Sequence, residues 1–307
     1  MKIRSKLILK HTENGSCRIR QVLRSLKKYC TSSHVTNNRV EAYLCRGSYV
    51  LKCEKGLIAV YKPPNVLSQP RPGTTDGQII RSVKDERVTI LRLPYNFKHE
   101  YYYDINRSNS KNIETRYWLL HRLDAETSGI LLFSDNDCVA SDVKHLFSLG
   151  KIEKKYYAVV FGKWISITHA SWITFLHVKK NDRRAVAFAN AQSSSGRLAH
   201  TKVRVAKIIE EKEIMLLELH PRTGITHQLR VQCQHEEVPI LGDRIYGDFS
   251  RNKFIRVLGG SPKRLYLHAC ELTIPHKIPK HKNAHLSEAH FEVFSQIPSS
   301  FVDLLRS

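Results

Sequence analysis

The twelve residues His121-Arg-Leu-Asp-Ala-Glu-Thr-Ser-Gly-Ile-Leu-Leu132 constrain this chain more than any other stretch. They set one aspartate, Asp124, behind an arginine and ahead of a polar turn that ends at Gly129. The apolar run Ile130 to Phe133 follows at once. A run that short, bounded by a turn, reads as a buried strand. Asp124 is therefore expected on a loop at the mouth of a strand, where a rigid scaffold presents its carboxylate to a substrate. A turn aspartate can also do no more than cap its own backbone. The spacing Arg-Leu-Asp with Thr-Ser-Gly argues for the first role.

Three further segments recur in order with it: Leu57-Ile-Ala-Val-Tyr-Lys-Pro-Pro-Asn-Val66, Lys154-Lys-Tyr-Tyr-Ala-Val-Val160 and Pro221-Arg-Thr-Gly-Ile-Thr-His-Gln-Leu-Arg-Val231. Leu241-Gly-Asp and Tyr246-Gly follow the last of them. Together with His-Arg-Leu-Asp-x-x-Thr-Ser-Gly, these segments resemble the motifs of the RluA-like family of ribosomal and transfer RNA pseudouridine synthases. The resemblance runs from about residue 56 to about residue 275. It implies an α/β (α+β) fold: a mixed, largely antiparallel sheet with flanking helices and a central catalytic cleft. It implies Asp124, Tyr156 and Arg222 as the catalytic set, with Arg222 holding the Asp124 carboxylate and Tyr156 stacking on the uracil. It implies contacts to the RNA by Arg122, Lys62, Thr223, Gly224, His227 and Arg230. Arg122 would fill the gap left by a flipped uridine, or simply hold a phosphate. The chain departs from the family at Asn65, where glycine is usual, at Ile225, where a basic residue is usual, and at Gln232, where histidine is frequent. Asn tolerates the left-handed conformation, so the turn at 65 can survive. Ile225 removes an expected phosphate contact.

Charge agrees with an RNA partner. Fifty Lys+Arg against 28 Asp+Glu leave +22 at pH 7, a surplus that draws a protein to polyanions. No apolar run approaches the ~20 residues that span a bilayer, so no membrane role is expected. Seven cysteines, odd in number and without a Cys-x-x-Cys, read as reduced thiols. Cys233, His235, His268 and Cys270 fit no standard metal spacing, and neither metal nor cofactor is expected. Residues 1–55 hold thirteen Lys/Arg and three Asp/Glu. That composition suits an organellar transit peptide or a basic RNA-binding extension. The expected organisation is thus an extension, 1–55, and a catalytic domain, 56–307. A monomer in a mitochondrion or plastid is expected rather than a cytosolic protein.

Local patterns place the rest. Leu57–Tyr61, Ile130–Phe133, Tyr156–Val160, Ile214–Leu219 and Leu265–Ala269 read as strands. Ser134-Asp135 is expected to cap a helix with Val139, Val143, Leu146 and Phe147 on one face, ended by Gly150. Thr226 is expected to cap a second helix, and Gln192–Arg197 to be a flexible loop. Residues 81–115 are polar and aromatic by turns, read as a loop that orders on RNA. The expected function is an RNA pseudouridine synthase using Asp124. The rivals are a catalytically silent RNA-binding assembly factor of the same fold, and a hydrolase using Asp124 as nucleophile. The hydrolase lacks a second carboxylate or histidine at a coherent spacing.

Overall fold

The computed structural model describes residues 39–71, 88–108, 111–162, 169–181, 184–189, 196–258, 260, 264–275 and 290–306. The chain divides into two compact units, Met1–Asn37 and Asn38–Ser307, and all described residues lie in the second. Most of the expected loop at 192–197 and residues 1–38 of the expected extension fall outside the described residues.

Among the described residues the strands are β1 (Tyr49–Glu54), β2 (Leu57–Lys62), β3 (Tyr95–Asn96), β4 (Tyr101–Ser108), β5 (Lys111–Leu119), β6 (Ser128–Ser134) and β7 (Glu153–Phe161). There follow β8 (His169–Asn181), β9 (Arg184–Ala189), β10 (Arg197–Ile209), β11 (Ile214–Pro221), β12 (Leu267–Ile274) and β13 (Phe291–Phe294). They form one sheet in the order β3-β4-β5-β6-β12-β7-β11-β10-β8-β9, with β1 on β2, β2 on β6 and β13 on β12. Every pairing is antiparallel except β6 with β12. The helices are α1 (Asp137–Ser148), α2 (Gln228–His235), α3 (Phe249–Asn252) and α4 (Ser299–Leu305). This is the mixed, largely antiparallel α+β fold that the motifs imply.

The sheet is buried on both faces at its centre and on one face at its end. In β2 and β6, Ile58, Val60, Leu131 and Phe133 enter one apolar cluster. Their neighbours Leu57, Ala59, Ile130 and Leu132 enter the opposite one, beneath α1. Strands covered on both sides read as unbroken apolar runs, which is why both were legible. In β8, by contrast, Trp172, Thr174 and Leu176 are buried while Ser171, Ile173 and Phe175 are exposed. That is the alternation of a sheet with one face in water.

Three expectations need correction here. The boundary at residue 55 falls inside the compact unit, because β1 pairs with β2 from Tyr49↔Tyr61 to Glu54↔Leu57. Lys55 and Gly56 both have positive φ (54° and 74°), the two-residue turn that matches strand twist. The described part of 81–115 is not one loop: β3, β4 and the start of β5 lie there and pair, with Tyr102 opposite Tyr117 and both buried. Three consecutive tyrosines, 101–103, hid the period of two. The helix caps also differ. Asn136 caps α1, its side chain accepting from Val139 N at 3.0 Å. Ser134 stays in β6, its hydroxyl donating to Gly56 O at 2.7 Å. His227, left-handed at φ 56°, caps α2 in place of Thr226 and makes no side-chain cap bond. The expected end of α1 holds, with Gly150 at φ 63°, and Asn65 does take the left-handed conformation at φ 64°.

Candidate active site

The loop between β5 and β6 carries Asp124 and is tied down from several sides. Ser68 Oγ donates to Leu123 O at 2.8 Å and accepts from Leu123 N at 3.1 Å. Lys62, fully buried at the end of β2, donates from Nζ to Ala125 O at 2.9 Å, Val66 O at 2.8 Å and Pro63 O at 3.0 Å. Burial pulls the Lys62 ammonium down to about 7, although Asp124 and Glu126 favour its charge. His121 Nε2 accepts from Leu132 N at 3.1 Å, and burial lowers its pKa to about 3, so the ring is neutral. At Gly129 the chain enters β6 against β12, at φ 117°. A Cβ there would meet Ala269 O at 2.1 Å, so the glycine of the motif is a packing requirement of the parallel pairing.

The Asp124 side chain is 23% exposed and faces two donors. Arg230 Nη1 lies 3.4 Å from Oδ2, and His227 Nε2 lies 3.8 Å from Oδ1. Both come from α2 or its cap. Arg230 is itself 2% exposed and is anchored by Asp243, with Nε to Oδ2 at 2.7 Å and Nη2 to Oδ1 at 2.8 Å. That two-pronged pairing leaves the third nitrogen aimed at Asp124, with Glu126 Oε2 3.7 Å from the same atom. Burial opposes the Arg230 charge. Asp243 first, then Asp124 and Glu126, outweigh it and hold the guanidinium above the usual arginine range. Burial also opposes the charge on Asp243. Arg230 and the N–H groups of Tyr246 and Ile245 overcome this and keep it below the usual carboxylate range.

Arg222 is therefore not the partner of Asp124. Leu219 on β11 sits directly across from Tyr156, on the face that looks toward Asp124. Strand alternation then sends His220 and Arg222 the other way, and Arg222 is exposed. The guanidinium next to Asp124 is supplied eight residues later, by α2.

The other expected residues separate into two groups. Tyr156 packs against both large apolar clusters near Asp124, and its phenol is pushed up by burial and then by the Asp124 charge. His227 Nδ1 contacts Tyr246 Oη at 2.8 Å. That oxygen also accepts from Ala187 N at 2.9 Å. Thr223 faces inward on its own turn: its hydroxyl donates to Gln228 Oε1 at 2.8 Å and accepts from His200 N at 3.0 Å. Gly224 is exposed, with nothing within 4 Å of a built Cβ. Arg122 is exposed, close enough to Tyr95 to oppose the rise in its pKa. The two departures from the motif are structural. Ile225 packs with Leu176, Ala187, Ala199 and Val231. Gln232 is fully buried and accepts from Thr201 Oγ1 at 2.7 Å.

Sequence reading passed over Ser68, Asp243 and Tyr246 as working parts. Asp243 and Tyr246 stood in the quoted Leu-Gly-Asp and Tyr-Gly pairs, but Ser68 carried no signal. Beneath the loop, Arg264 Nη2 donates to Ser128 Oγ at 2.6 Å, and Ser128 Oγ contacts His268 Nδ1 at 2.9 Å. Burial lowers His268 to about 3, with Arg264 adding to the effect. Burial pushes the thiols of Cys233 and Cys270 well up. Among the described residues no three His, Cys, Asp or Glu gather as a metal site.

This geometry belongs with a known sequence pattern: residues 56–235 match the family described as RNA pseudouridylate synthase. The chain is a member of that family. A tRNA pseudouridine synthase C of Vibrio cholerae is 36% identical over 166 residues, covering 51% of this chain and 66% of that protein. A ribosomal large subunit pseudouridine synthase D of Borreliella burgdorferi is 30% identical over 222 residues, covering 72% of this chain and 59% of that one. This chain thus spans less than two thirds of the length of these curated relatives, 66% of one and 59% of the other. Among solved structures, human RNA pseudouridylate synthase domain containing 4 aligns with a TM-score of 0.56 at 24% identity, over 83% of this chain and 91% of that one. Human RNA pseudouridylate synthase domain containing 1 aligns with a TM-score of 0.53 at 20% identity, over 84% and 85%. Both share the fold.

Proposed function

We infer that this chain is an RNA pseudouridine synthase that isomerises specific uridines of ribosomal or transfer RNA, with Asp124 as the essential group. The observation that carries this is the Asp124 carboxylate, presented on a braced loop between the Arg230 and His227 nitrogens and beside Tyr156.

The reaction breaks the N1–C1′ bond, turns the uracil and joins C5 to C1′. Every atom of the nucleotide is retained, so the chemistry asks for charge control and restraint more than for a reagent. Asp124 serves by attacking or stabilising C1′, by attacking C6, or by taking the C2′ proton; all three need an ionised carboxylate. Arg230 supplies the counter-charge to it at 3.4 Å. Because Asp243 fixes its plane, Arg230 points at Asp124 without having to be ordered on binding. Tyr156 offers a flat surface to the freed base, a contact worth ~1–3 kcal/mol per stacked base. The target must leave its stack to reach Asp124, and Arg122, exposed two residues before it, would fill the gap. Ile225, which removes an expected phosphate contact, is accounted for by the core and does not argue for a silent scaffold.

Mapping pseudouridine across ribosomal and transfer RNA, with and without the protein, tests this reading. Loss of one or a few sites supports it, with recovery by the parent and none by Asp124→Asn. An unchanged map overturns it. The basic first residues fit an organellar leader, which N-terminal sequencing of the mature protein checks.

A further inference from the structure

At the far end of the sheet, the face turned away from Asp124 is both apolar and cationic. On β8, Ile173 is 62% exposed and Phe175 36%, while Trp172, Thr174 and Leu176 between and beyond them are buried. Phe175 lies across from Leu198 of β10, which is 49% exposed, and Ile173 lies across from His200. On the other side, His177 lies across from Phe188 and Lys179 across from Val186. Directly paired residues share a face, so these side chains form one continuous surface. Positive and titratable groups are interleaved with the rings. His177 stacks on Phe188 at 5.4 Å between centroids and 20° between planes. Lys179 Nζ lies 5.4 Å from the centre of the Phe188 ring. Lys202 continues the same row of β10 and is exposed. The carboxylate in that register, Glu218, is already engaged by Arg204 at 2.5 Å and His220 at 2.8 Å.

Arg222 borders this surface. Its N–H donates to His200 O at 2.9 Å, at the end of β11 and just before the open backbone at Gly224. A strand of RNA leaving the Asp124 pocket over Gly224 would meet Arg222 first and the Ile173–Phe175–Phe188 surface next. We propose that this face docks a single-stranded stretch of RNA flanking the uridine delivered to Asp124. The proposal rests on the RNA-modifying function inferred above and adds a second contact surface to it. Exposed rings set among cations suit bases and phosphates together. An apolar protein partner would have to bury Lys179 and Lys202 without a counter-charge. The excess of +22 over the whole chain favours the same class of partner.

The test uses the full chain and a target RNA found by pseudouridine mapping, in two lengths: a long fragment and a minimal stem around the uridine. Two variants are compared with the parent, Phe175→Ser/Phe188→Ser and Lys179→Glu/Lys202→Glu, with thermal melting as the folding control. Affinity for the long fragment should fall by about tenfold or more in each. Single-turnover conversion of the minimal stem should stay within about twofold. Ultraviolet cross-linking of the unaltered protein to the long fragment should yield cross-linked peptides from β8 or β9, whether or not a variant folds. Unchanged affinity in folded variants, or cross-links confined to the cleft, overturns the proposal. So does a parent that sediments as a dimer which the Phe175→Ser/Phe188→Ser variant dissociates. A parent that binds RNA through β8 and β9 yet converts no uridine sinks the enzymatic reading and leaves the surface standing.

Discussion

The two faces of the sheet around β11 handle charge in opposite ways. On the Asp124 side, charges are buried and mutually satisfied: Arg230 is 2% exposed and Asp243 1%, at 2.7 Å. On the other side Glu218 is held by Arg204 and His220, but Arg222 and Lys202 are exposed, and apolar side chains stand between the cations. A buried guanidinium gripped by both oxygens of one buried carboxylate has one available geometry, which suits aiming a catalytic group. An exposed cation is free to follow a flexible phosphate chain and adds mainly salt-dependent affinity. Two arginines of one motif thus do different work, because one follows a strand and the other lies within a helix.

The largest effect expected from that contrast is at Arg230. Arg230→Ala leaves Asp243 buried without its cation and should destabilise the fold by about 3–5 kcal/mol, read by denaturant unfolding. Arg230→Lys keeps the charge but loses the two-pronged hold on Asp243. Single-turnover conversion should drop by at least about a hundredfold, with RNA affinity changed by much less.

Acid should act next, through buried imidazoles. His121 and His268 have folded pKa values near 3, below the usual 6.5. Between those limits the unfolded chain binds protons that the folded chain refuses. Stability should therefore fall as pH drops from about 6.5 toward 3. His268→Gln should flatten that slope in urea melts taken across the window, and an unaltered slope would remove His268 from the account.

Arg222→Ala should be milder. Stability should stay within about 0.5 kcal/mol. Affinity should fall by less than about tenfold, and the salt dependence of binding should shrink by about one counterion. An activity loss equal to that of Arg230→Lys would erase the contrast. The smallest effect belongs to Gly224→Ala. Its Cβ would meet open space, so melting should shift by about a degree or less. Any loss would be confined to RNA affinity.

How much of this the sequence disclosed followed from burial. β2 and β6 were legible because both faces are covered, leaving runs such as Leu57-Ile-Ala-Val60. β4 and β5 were not, because Tyr101 to Tyr103 and Tyr117-Trp118 place aromatic residues on both faces of a hairpin. Within the site, Asp124 and its loop were legible from the motif. The partner of Asp124 was not, because pairing depends on which way a side chain leaves its element. The motif supplied both Arg222 and Arg230, and only the strand alternation past Leu219 and the burial of α2 decide between them. Ser68 could not be found at all: one serine in a loop has no pattern, and its role exists only because the loop folds back to Leu123.

The most direct test of the central claim is single-turnover conversion of uridine in a verified target RNA by the parent and by Asp124→Asn, at concentrations where both are saturated with RNA. Asn keeps the shape of the side chain and removes its charge. Conversion should fall by at least about a thousandfold while binding stays within a few-fold, as expected when one group carries the chemistry and many cations carry the affinity. Comparable conversion by Asp124→Asn would contradict the account, since no role given to Asp124 works without an ionised carboxylate.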